Sequence, residues 1–194
     1  ISKAVPIALA VVFGFCAVAM IGIMVYFSCI DTKTDLGNFE RIIRFNDIWG
    51  THRGFMWIRS IWIFGDASFI EKLFGVGPDM FYSAFSPYFD DLSKYGDSST
   101  NAAHNEYLNY LITIGITGLL SYLAIVCGTI KNAVKYAKEN PMLIACVSAV
   151  ICYAVQSVVN LYQPITTPLF FIFIALCEAF VRNAKAEKSA VSAV

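Results

Sequence analysis

Two side chains in this sequence have the type and setting to do chemistry, His104 and Arg53. His104 opens the run His104-Asn105-Glu106-Tyr107-Leu108, where a polar stretch meets an apolar one. An imidazole titrates near neutral pH, so a histidine at a water–membrane boundary can act as a general base. It can equally cap a helix or sit at the interface with no chemistry, and the residue alone favours that plainer role. Arg53 and Trp57 are four apart and project from one helical face. A guanidinium beside an aromatic ring offers phosphate oxygens a fork. Its plainer alternative is an arginine reaching for lipid headgroups. Arg41, Arg44 and Arg59 are candidates of the same kind. Between Asp31 and Glu106, seven Lys/Arg stand against eleven Asp/Glu, so an anion site there must be local. Gly75-Val76-Gly77-Pro78 can present backbone amides to a phosphate or simply turn the chain. His52 with Asp79, Asp90, Asp91 and Asp97 raises the question of a metal. No spacing typical of zinc or calcium appears, and solvated loop acids fit better; neither a metal nor a cofactor is expected.

Membrane helices must position these groups. Charged residues are 14% of the 194, well below the quarter or so usual in soluble domains. The formal net charge is zero, which argues against a nucleic-acid partner. Sixteen Phe, ten Tyr and three Trp suit membrane interfaces and flat apolar ligands. Of the six cysteines, five fall inside apolar runs and Cys29 ends one, so they read as small packed hydrophobes, not a disulfide set.

Four segments read as transmembrane helices: 5–28, 106–130, 141–159 and 165–181. The first has no charge and is too long for a secretory signal. The chain begins without Met one turn ahead of it, as a piece of a longer protein would. Gly115 and Gly118 lie on one face of the second and permit close helix approach. Pro141 is tolerated in the first turn of the third. Merging the third and fourth into one re-entrant hairpin is a weaker alternative. Lys131, Lys135 and Lys138, with Glu139, fill the 131–140 connection, and Arg182, Lys185, Glu187 and Lys188 the 182–194 tail. The 160–164 hairpin has no charge. The positive-inside rule places both basic segments, and Lys3, in the cytoplasm, which puts residues 29–105 outside. That loop is too long for a connector. Thr51 is a candidate cap for a helix carrying Phe55, Met56, Trp57, Ile58, Ile61, Trp62 and Ile63, apolar enough to lie in the interface or on the bundle. Phe81 to Phe89 is aromatic, and Asp90 to Asn101 is polar and turn-rich.

In order, Thr51-His52-Arg53 with Trp57, Leu73-Phe74-Gly75-Val76-Gly77 with Phe81, His104-Asn105-Glu106-Tyr107-Leu108 and Gly115-Ile116-Thr117-Gly118 resemble the O-antigen ligase and polymerase family. Order and spacing match over about Ile48 to Leu120. The resemblance implies an all-α integral membrane protein of about four spans with a large, partly helical extracytoplasmic loop, part of a GT-C type scaffold in a bacterial inner membrane. It implies an inverting, metal-independent glycosyltransferase. The donor would be a glycan on undecaprenyl diphosphate, and the acceptor a glycan or lipid hydroxyl. His104 would activate the acceptor and Arg53 contact the diphosphate; Trp57, Gly75, Gly77, Asn105 and Tyr107 would support them. Two departures matter. The family places a small residue before the arginine, where this chain has His52. The family's second arginine lies in a Ser-Arg motif upstream of the residues given, so the piece alone would be inactive. A transporter or flippase fragment is the alternative, disfavoured because such proteins place ionisable groups at mid-membrane.

Overall fold

A computed structural model describes residues 4–138 and 140–192. Lys3 and Glu139 lie outside the described residues. All regular structure among the described residues is helical. The chain forms two compact units, Ile1–Ile58 and Arg59–Val194.

In the first unit α1 (Ala4–Val25) runs on through a π-helical turn, Tyr26–Ile30. From Val11 onward its side chains are apolar and outward-facing, with Phe13 and Phe15 about three-quarters exposed. A helix apolar all round, with no partner to bury it, suits lipid and not water. After it the chain is pinned by Arg44. Its Nε donates to the Phe27 carbonyl, its Nη2 to the carbonyls of Asp31 and Thr34, and its Nη1 to the Glu40 carboxylate at 2.7 Å. Arg44 therefore ties the helix end to α2 (Glu40–Ile43) and is committed to structure. The Thr34 hydroxyl and amide hold the Asp31 carboxyl below the usual range.

Helix α3 (Trp49–Asp66) is interrupted near its start. Gly50, Thr51 and His52 all have positive φ, and regular helix resumes only after them. Thr51 does not cap: its hydroxyl donates to the Gly50 carbonyl at 2.6 Å. The reason is steric. Gly54 lies against the Asn46 carbonyl so closely that a Cβ there would stand 1.9 Å from the oxygen. The left-handed link lets the backbone fold that tightly, with the amide of Phe55 reaching the Asp47 carbonyl.

The second unit begins with the rest of α3 and continues through α4 (Phe69–Phe74), α5 (Phe81–Phe85) and α6 (Phe89–Ser93). Ser68 and Glu71 form a capping box at α4; the Ser68 hydroxyl and amide hold the Glu71 carboxyl below its usual range. The 106–130 segment, read as one span, is two helices, α7 (Glu106–Thr113) and α8 (Gly115–Tyr136). The break falls at Gly115, with φ +70°. Helices α8, α9 (Met142–Gln156) and α10 (Thr166–Ser192) pack as a three-helix bundle. Its core is Tyr122, Val126, Val150 and Phe170 in one layer, and Ala133, Leu143, Cys146, Val147, Cys177 and Val181 in the next. All six cysteines are free thiols.

Val11–Ile30 and Gly115–Tyr136 are long and apolar enough to cross a membrane. Helix α9, at 15 residues, spans about 22 Å, less than a hydrocarbon core of about 30 Å. Helix α10 outruns the 165–181 segment because the Ala- and Lys-rich tail after it consists of good helix formers. Lys135, Lys185 and Lys188 converge on the Tyr136 ring, each ammonium 5.3–5.7 Å from its centre. The basic ends of α8 and α10 therefore meet at one end of the bundle.

Candidate functional site

His104 precedes the Asn105 cap of α7 and is half-buried, in a left-handed backbone conformation at φ +51°. That conformation is uncommon for residues other than Gly, though Asn, Asp and His are enriched in it, and it persists where neighbours over-determine it. The neighbours do so here. Ala102 and Ala103 are buried on one side, Asn105 and Glu106 on the other. Asn105 is the cap of α7, its Oδ1 accepting from the Leu108 amide at 3.0 Å, so the capping role open to His104 belongs to its neighbour. The Glu106 amide donates to the Ser157 carbonyl at 2.9 Å. The Tyr107 hydroxyl donates to the Ala154 carbonyl at 2.7 Å. Three consecutive residues thus fasten the junction, two of them to the end of α9.

Glu106 is the residue that sequence reasoning missed. Only 1% of it is exposed. Its carboxylate accepts from the hydroxyls of Tyr110 (2.8 Å) and Ser157 (2.7 Å). A buried carboxylate that accepts from these two hydroxyls acts as a staple between α7 and the end of α9. Its signal in the sequence is Tyr110 at i+4, together with a serine inside an apolar run.

Gly75 and Gly77 have a packing role. The amide of Gly75 donates to the Glu71 carbonyl, that of Val76 to Ile112, and that of Gly77 to Thr113. All three amides considered for a phosphate are thus engaged by carbonyls. Gly75 (φ +77°) and Gly115 (φ +70°) form a reciprocal lock. A Cβ on Gly75 would lie 2.3 Å from the Thr113 carbonyl group, and one on Gly115 2.4 Å from that of Leu73. The Thr117 hydroxyl adds a bond to the Leu73 carbonyl at 2.7 Å. The atoms nearest to where a Cβ on Gly118 would stand belong to the Ile114 side chain. Gly75→Ala and Gly115→Ala each combine a forbidden φ with a backbone clash. Each should destabilise the protein by several kcal/mol, roughly 4 or more, read as a loss of folded full-length protein in a detergent melt. A near-normal melt for either would show that the contact can yield.

Arg53 and Trp57 occupy α3 beyond the left-handed link, within the first unit. The Trp57 ring packs with Trp49 (centroids 5.1 Å) and Phe45 (6.1 Å). Arg53 Nε and Trp57 Nε1 are both buried and have no hydrogen-bond partner. A buried donor left so costs about 1–3 kcal/mol, and two of them four residues apart are matched by an acceptor-rich ligand. Arg59 stacks over Trp62, 4.8 Å from its centre. Arg41 borders an open, polar groove with Asp35 and Glu40, a poor setting for an anion. Arg59 Nε, like Arg53 Nε, is buried and makes no hydrogen bond. What sets Arg53 apart is the equally unpartnered indole N–H of Trp57 one turn on, whereas Arg59 is stacked over Trp62. No cluster of three or more His, Cys, Asp or Glu poised for a metal occurs among the described residues.

A family model described as O-antigen ligase matches residues 3–123. That stretch takes in α1, both arginine-bearing segments and the His104 junction. No curated protein and no solved structure matches the chain.

Proposed function

Because this chain belongs to the O-antigen ligase family, we propose that it carries the acceptor-activating and diphosphate-binding groups of a membrane glycosyltransferase acting on a lipid-linked glycan. His104 takes the proton of the acceptor hydroxyl as its oxygen bonds to the anomeric carbon. The bond from that carbon to the diphosphate breaks with inversion, and the electron pair leaves with undecaprenyl diphosphate. Arg53 meets the charge that grows there, a task preorganised cationic donors perform without a metal. Trp57 adds an indole N–H beside it. The observation that carries this assignment is the fixed backbone of the junction. Asn105, Glu106 and Tyr107 fasten it, and His104 is held there, half-buried, in a left-handed conformation.

Membership of the family weighs against a transporter or flippase. The buried Glu106 lies at the head of α7 among hydroxyls and not in the middle of a span, where a transport pathway would use it. In this proposal residues 29–105 face the outside of a bacterial inner membrane, and the lysines gathered at Tyr136 face the cytoplasm.

The test uses sealed, right-side-out membrane vesicles holding the full-length protein and its lipid-linked donor. A membrane-impermeant acceptor added outside should be glycosylated, and EDTA should leave the rate unchanged. Transfer confined to inverted vesicles would overturn the orientation. Loss of transfer in EDTA, restored by a divalent cation, would overturn the metal-independent chemistry.

A further inference from the structure

A small cleft of about 250 Å³ in the second unit is lined by Pro78, Asp79, Asn109, Tyr110, Tyr162 and Thr167, among others. Sites for drug-sized ligands start at about 300 Å³, so this one holds a single ring and not a chain. Asn109 is 6% exposed, and its Oδ1 is buried without a hydrogen-bond partner. The other polar groups are mostly engaged. The Tyr110 hydroxyl serves Glu106, and Thr167 Oγ1 serves Tyr153 and the Gln163 amide. Tyr162 reaches Asp79 Oδ1 only at 3.3 Å. Asp79 is itself exposed, at φ +59°. What remains for a ligand is a pair of acceptors, the Asp79 carboxylate and the Asn109 amide oxygen, beside two tyrosine rings. The cleft lining includes a carboxylate and no cation, which excludes phosphate and calls for hydroxyl donors. Asn χ2 is a soft torsion, so the amide can turn toward a ligand at little cost.

We infer that this cleft is a sugar subsite, in which Asp79 and Asn109 accept from ring hydroxyls and Tyr110 and Tyr162 border the ring. This rests on the glycosyltransferase reading and extends it. Glu106, Asn109, Tyr110 and Thr113 lie at i, i+3, i+4 and i+7, along one face of α7. Asn109 stands four residues from the Asn105 cap, a rise of about 6 Å. The subsite therefore receives a sugar near the reacting one and not the reacting one itself.

The test uses full-length protein and the oligosaccharide released by mild acid from the cell's own lipid-linked glycan. Saturation-transfer NMR reads binding directly, whether or not the protein turns over. Asn109→Leu removes the acceptor at nearly constant size, and Asp79→Asn keeps the shape. Each should cut the sugar signal at least about fivefold and raise a glycan KM about tenfold, more than it lowers kcat, with an unchanged melting temperature. A rise in the donor KM or in the acceptor KM tells which glycan the subsite holds. Equal signals from wild type and both variants at normal melting temperature would overturn the subsite. If His104→Ala abolishes transfer in that case, the catalytic proposal survives the failure. If His104→Ala transfers normally while Asn109→Leu loses the sugar signal, the subsite survives without it.

Discussion

Arg53→Lys in the full-length enzyme is expected to lower transfer by roughly 100- to 1,000-fold, the range seen when one preorganised donor to a developing negative charge is removed. Lysine keeps the charge but loses the planar fork, and a point ammonium cannot reproduce a bidentate contact. The loss should fall on kcat as well as on donor affinity, because the charge on the diphosphate grows as the glycosidic bond breaks. Protein levels should stay close to normal, since Arg53 Nε makes no hydrogen bond whose loss would unfold the site. Trp57→Phe separates the neighbouring contribution. Phenylalanine keeps a smaller aromatic ring against Phe45 and Trp49 and removes the indole N–H together with part of the ring. A neutral hydrogen bond is worth about 1 kcal/mol, so this variant should lose about five- to tenfold. Arg44→Lys gives the contrasting case. Arg44 serves three carbonyls and Glu40, so its loss should show as unfolding and not as a catalytic defect. Full activity in Arg53→Lys would reduce Arg53 to a structural or headgroup-binding residue.

The sequence made the helices and their chemistry legible to different depths. The apolar run of α1 is visible because it has no charge, and the lysine pattern marks the end of the bundle where Tyr136 gathers three ammonium groups. His104, Arg53 and Trp57 could be singled out by type and spacing. Backbone conformation was not legible. Thr51 has the residue type of a cap, but the close approach of Gly54 to Asn46 imposes a left-handed link that no local preference announces. Gly75 and Gly115 sit forty residues apart, and only folding brings them face to face. Spacing to nearby glycines suggested a phosphate loop for Gly75 and a close helix approach for Gly115; the approach is there, against the end of α4, but its partner could not be named. Nothing local to Glu106 marks it as buried, because an acid in the first turn of a helix is ordinary. Its burial depends on Ser157, fifty-one residues away. Asn109 was hidden for the same reason, since an asparagine in a short amphipathic helix carries no sign that its oxygen will be left unpartnered.

The largest effect is expected at His104. His104→Ala should reduce transfer by about 100- to 10,000-fold, the usual worth of a positioned general base, while binding of the lipid-linked donor stays close to that of wild type. Alanine also disfavours the left-handed backbone by about 1–2 kcal/mol, so part of its effect could come from a shifted junction. Asparagine avoids that complication. It tolerates positive φ and leaves Asn105 to cap the helix, so it keeps the junction while removing the imidazole. The most direct measurement is a single-turnover assay on the full-length His104→Asn enzyme at saturating lipid-linked donor, with donor binding and release of undecaprenyl diphosphate followed separately. A variant that binds donor normally and transfers nothing is the expected result; one that binds donor and transfers at the wild-type rate would contradict the assignment of His104 as the base.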